Sequence, residues 1–114
     1  MTDLQVFLAT LERDDVAFAD TLAFIARRYH YHPQAFRNGD LENAAGQNEG
    51  SCKVLGLALL EGLSDAQALR AFGEHARNVL ATPAGSDHGN IRNLLAHGMA
   101  GVRFERLPLT RIEN

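Results

Sequence analysis

The sequence predicts a mainly α fold, a compact single domain of about five helices over residues 1–114, with room for a short two-stranded β pair. Three observations carry this. Two capping boxes, Thr2-Asp-Leu-Gln5 and Ser64-Asp-Ala-Gln67, mark helix starts. Apolar residues recur at helical spacing through most of the chain. Alternating, strand-like patterns are confined to two short stretches, Tyr31–Phe36 and Val102–Arg106.

Taken in order, Thr2 caps a first helix that places Leu4, Phe7, Leu8 and Leu11 on one face and ends in the charged turn Glu12–Asp15. A second helix starts near Phe18 or Asp20, carries Leu22, Ile25, Ala26 and Tyr29, and must stop before Pro33. The extended segment Tyr31–Phe36 follows, closed by the turn Asn38-Gly39. Residues Arg37–Ser51 show neither period and read as a long structured loop.

Helix three runs from Ser51 or Cys52 to about Glu61, apolar on most sides and therefore central, with Gly62 as its stop. Leu63 staples helix four, which carries Leu69, Phe72, Ala76 and Val79 or Leu80. Thr82-Pro-Ala-Gly85 breaks the chain, and Ser86 or Asp87 caps helix five. That helix points Ile91, Leu94 and Leu95 inward and closes at Gly98. The tail from Val102 is a short strand suited to pair with Tyr31–Phe36.

Composition narrows the function. Hydrophobic residues make up 46% and charged residues 22%, with a formal net charge of −3. That balance offers no electrostatic reason for nucleic acid or an anionic membrane as partner. One cysteine cannot form an intrachain disulfide, the longest apolar run (Val54–Leu60) is too short to span a bilayer, and the N-terminus lacks a Sec-type signal. A cytoplasmic monomer is the expectation.

Two dense polar blocks stand out. The first, Asn43–Lys53, places Asn43, Gln47, Asn48 and Glu49 ahead of Cys52 and the only lysine, Lys53. A cysteine in the first turn of a helix can have a lowered thiol pKa, so Cys52 is a catalytic candidate with Glu49 and His88. Against this, a catalytic thiol needs an oriented histidine, and free cysteines are among the most buried residues.

The second block, Asp87–Asn93, has Asp87 as an amide cap with Asn90 at the N3 position, or else His88 as acid–base or ligand with Arg92 as an anion clamp one turn on. His75 could converge with it. Together Asn43, Gln47, Asn48, Glu49, Asp87, His88, Asn90 and Arg92 form the candidate ligand-binding set. His30 and His32 make too small a ligand set, and no metal-binding pattern is present, so neither metal nor cofactor is expected. His97 reads as a helix C-terminal dipole partner. Both blocks could instead be a structural hydrogen-bond network joining the loop to helix five.

The chain resembles the HopJ type III effector family. The resemblance rests on Phe36-x-Asn38-Gly39, Asn43-x-Ala-Gly-Gln-Asn-Glu-Gly-Ser-Cys-Lys53, Leu69-x-x-Phe72-Gly73, Val79-Leu80-x-x-Pro83 and Gly85-x-Asp-His-x-Asn-Ile-Arg-Asn93. Glu74–Arg77 and Met99 stand where that family favours aromatic residues. The resemblance implies a small, mainly helical bacterial protein that acts in the bacterial cytoplasm or is secreted into a host cell by a type III apparatus, with a host protein target or a small-molecule ligand as partner. It implies no catalytic mechanism. The alternative is a ligand-binding or hydrolytic housekeeping protein using a pocket between the two blocks.

Overall fold

The computed structural model describes residues 1–112. Helix α1 (Asp3–Thr10) starts at the expected capping box, with the Thr2 side chain accepting from the Gln5 amide. Its Phe7 stacks on Phe24 of α2 (Phe18–Arg28), with ring centroids 4.3 Å apart. Ala17, the residue before α2, has no side chain that can cap. The cap comes from Glu74 instead, whose Oε1 accepts from the Phe18 amide at 2.7 Å. That hydrogen bond holds the Glu74 carboxyl below its ordinary range.

Strands β1 (Tyr29–Tyr31) and β2 (Phe36–Asn38) are separated by an irregular stretch around Pro33, so the expected continuous extended segment is bent in two. Each half finds a different partner. Strand β2 pairs with β3 (Leu41–Asn43) in a hairpin and, on its other edge, with β4 (Val102–Phe104), where Phe36 stacks on Phe104. Strand β1 pairs with β5 (Leu109–Arg111). The tail does pair with this region, but through two short antiparallel sheets rather than one. The stretch read as a long loop contains most of the hairpin.

Helix α3 (Glu49–Glu61) is central, as expected from its apolar run, with Cys52, Val54, Leu55, Leu57 and Ala58 all buried. It begins two residues ahead of the expected start and stops at Gly62 in the left-handed conformation. At its C-terminal end Glu61 accepts from the Tyr29 hydroxyl and pairs with Arg111 at 2.7 Å, tying β1 and β5 to the core helix. The Arg111 hydrogen bond holds the Glu61 carboxyl below the ordinary carboxylate range.

Expected helix four is two helices, α4 (Asp65–Arg70) and α5 (Glu74–Ala81). The break is Gly73, at φ +60°. A Cβ there would lie 2.5 Å from the Phe18 nitrogen and 2.8 Å from the Val16 oxygen. The turn takes glycine because its φ is positive and the start of α2 occupies the space a side chain would need.

Helix α6 (Gly89–His97) buries Ile91 and Leu94 and leaves Leu95 exposed, contrary to the inward placement expected for Leu95. Its N-cap is His88, and neither Ser86 nor Asp87 fills that position. A single 3₁₀ turn, Met99–Gly101, leads into β4.

Replacing Gly73 with alanine combines a left-handed Cβ with a backbone clash. We expect Gly73→Ala to lower unfolding free energy by about 2–4 kcal/mol, read by urea denaturation. A loss within experimental error would mean that the contact with Val16–Phe18 yields easily.

Candidate functional site

The site is assembled around asparagines. Asn38 on β2, Asn43 on β3 and Asn90 in the first turn of α6 are all buried. Asn38 Nδ2 donates to the Asn90 carbonyl at 2.8 Å and to Asn90 Oδ1 at 3.1 Å. Asn90 Nδ2 donates to Asn43 Oδ1 at 2.9 Å, and Asn43 Nδ2 returns a bond to Asn90 Oδ1 at 3.3 Å. Asn48, just ahead of α3, donates to Asn43 Oδ1 at 2.7 Å. Asn93 closes the set from outside by donating to the Asn38 carbonyl at 2.8 Å. A buried amide left unpaired is costly, so these bonds hold the hairpin, α3 and α6 in one arrangement, with Asn38 Oδ1 the one buried side-chain atom of the set that has no partner.

One consequence is that the N-termini of α3 and α6 open onto the same cleft. This cleft, of about 340 Å³, is lined on one side by Asn48, Gly50 and Ser51 and on the other by His88, Gly89, Asn90 and Ile91. Its remaining wall is apolar or aromatic, built by Phe18, Leu41, Phe72 and His75. A Cβ on Gly50 would come within 2.8 Å of the Phe18 ring, so this glycine is what lets the aromatic wall close on the start of α3.

Both helix starts share an uncommon backbone. Asn48 (φ 50°) and His88 (φ 52°) are the positive-φ non-glycine residues among those described. Neither helix start receives a side-chain cap bond. Uncapped first-turn amides are donors available to solvent or to a ligand. A left-handed residue followed by a helical one also curls successive N–H groups into an anion-accepting concavity. Beside these amides, the His75 and His88 rings lie 5.1 Å apart between centroids, with Phe18 edge-on to His75 at 5.0 Å. No carboxylate lines the cleft, and the Asp87 carboxylate stands just outside it, 3.9 Å from His88 Nε2.

The other sequence-selected residues lie elsewhere. Cys52 is buried one turn into α3, its Sγ 3.6 Å from the Gln34 carbonyl, and burial pushes its thiol above the ordinary range. Glu49 accepts from the Tyr31 hydroxyl at 3.0 Å, and the Lys53 ammonium sits over the Tyr31 ring. Gln47 accepts from the Ala44 amide at 3.0 Å in the loop's own turn. Arg92 pairs with Asp87 at 2.6 Å and donates to the Thr82 carbonyl at 2.8 Å, bracing the loop before α6. The Arg92 hydrogen bond also holds the Asp87 carboxyl below its ordinary range.

Thus Asn48, His88 and Asn90 line the cleft, Asn43 supports it from beneath, and Gln47, Glu49, Asp87 and Arg92 organise its surroundings. Sequence reasoning passed over Phe18, Leu41 and Phe72, which carry no signal distinguishing them from ordinary core residues. A larger groove of about 430 Å³ between α1 and α2 exposes charges of both signs, including Asp3, Arg13, Asp20 and Arg27, and involves neither polar block. Among the described residues no group of three or more His, Cys, Asp or Glu is placed to hold a metal, and no helix is long and apolar enough to cross a membrane.

Comparison with known proteins agrees with the sequence resemblance. A crystal structure of the unknown-function protein VPA0580 superposes with a TM-score of 0.91 at 39% identity, covering 98% of this chain and 95% of that one. No curated protein matches. The sequence model of the HopJ type III effector protein family matches residues 4–109, nearly the full length. The chain belongs to the HopJ type III effector protein family.

Proposed function

We propose that this HopJ-family protein binds a small organic anion in the cleft between the α3 and α6 N-termini. The observation that carries the reading is the meeting of the two polar blocks around the His75–His88 pair, in a cleft without a carboxylate. The amides of two uncapped helix starts and two imidazoles supply donors for an anionic group. Phe18, Phe72 and Leu41 offer an apolar surface for the body of the ligand. This reading makes no use of thiol chemistry, since Cys52 is buried and its thiol is pushed up.

Benzoate combines an anionic head with a flat apolar body and is a suitable probe. In residue-resolved NMR titrations it should shift the Gly50, Ser51, Gly89 and Asn90 amides saturably. His88→Ala should weaken that binding by about tenfold, the size of one charge-assisted hydrogen bond. Amides that do not respond, or a response unchanged in both His75→Ala and His88→Ala, would sink the proposal.

Family membership supports a second reading at the level of the cell, delivery through a type III apparatus to a host protein target. A tagged full-length chain should then appear in the medium of a secretion-competent strain and be held back when the apparatus is deleted. Equal retention in both strains would contradict this reading and leave a protein that works inside the bacterium.

A further inference from the structure

Beside the β2–β4 pair lies a second concavity, of about 560 Å³, lined by Arg37, Gly39, His97, Ala100, Gly101 and Arg103. It shares no lining residue with the cleft. Arg37 and Arg103 stand directly opposite each other in the antiparallel register. Like charges facing across a strand pair are destabilising. The neighbours offset this only in part. Arg37 Nη1 is 3.9 Å from an oxygen of the exposed Glu42, and Arg37 Nε donates to the Gly39 carbonyl at 3.0 Å. Arg103 forms no ion pair among the described residues. A chain with a net charge of −3 nevertheless gathers two guanidinium groups and an imidazole at one spot.

The groove also has an open floor. Gly39 donates its amide to the Gly101 carbonyl at 2.9 Å, and the His97 ring lies close over Gly39, where a Cβ would come within 2.7 Å of it. The floor is therefore backbone and the walls are cationic or polar. An anion with two charges and several oxygens would turn the repulsion between the guanidinium groups into shared attraction, and each planar fork matches such oxygens in pairs.

We propose that this groove is a binding site for a phosphate group in its dianionic form, free or as a monoester, held between Arg37 and Arg103 beside His97. The site is independent of the cleft reading and does not need it to be correct.

The test is an NMR titration of the full chain, above neutral pH and at fixed ionic strength, first with inorganic phosphate and then with phenyl phosphate. Saturable shifts at the Gly39 and Gly101 amides are expected, weakened by about tenfold in Arg103→Gln. Arg37→Gln provides a second variant should Arg103→Gln fail to fold. Tighter binding of phenyl phosphate would assign the groove to esters, and equal binding to the free ion. Phosphate should also raise Tm in the unmodified chain and lose that effect in Arg103→Gln. An equal response to chloride, or phosphate binding undiminished in both arginine variants, would overturn the proposal. The Gly50 and Gly89 amides report on the cleft separately, so failure at one site is distinguishable from failure at the other.

Discussion

The reciprocal amide bonds between Asn43 and Asn90 are the constraint on which the rest of the arrangement depends. They join a hairpin residue to the first turn of a helix 47 positions away. Because both side chains are buried, water cannot replace a lost bond at either one. Asn38 and Asn48 extend the same network to β2 and to the residue preceding α3. With those four positions set, the spacing and facing of two helix N-termini are set as well. The cleft is thus a by-product of how the amides satisfy one another.

That geometry carries a local cost. Left-handed backbone is uncommon at a non-glycine residue, and the structure adopts it at Asn48 and His88, two residue types that tolerate it better than most. Both helices also forgo a side-chain cap, although α1 and α4 show that this chain can build complete capping boxes. Two left-handed residues and two helix starts without side-chain caps therefore meet at one cleft.

What could be read from the sequence was what is decided locally. Thr2–Gln5 and Ser64–Gln67 announce helix starts because their bonds close within one turn. Gly62 and Gly98 mark stops for the same reason. The break at Gly73 was hidden, because the contact that excludes a side chain there comes from Val16–Phe18, far off in sequence. The cap of α2 was hidden too, since Glu74 reaches Phe18 across 56 residues. Strand β5 exists because β1 offers it an edge, and Leu109–Arg111 is too short to show a period. At the site, the two polar blocks were visible as composition, whereas the pairing of particular asparagines and the aromatic wall of the cleft depend on tertiary contacts.

A double-mutant cycle on Asn43→Ala and Asn90→Ala, read by urea denaturation, tests the central claim most directly. Each single variant should lose about 1–3 kcal/mol, because each strands a buried amide. The double variant should lose less than the sum by about 1 kcal/mol or more, as expected for partners in one buried network. Losses that add to within about 0.5 kcal/mol would show that the two asparagines act separately, and the network could not then be what holds the two polar blocks together.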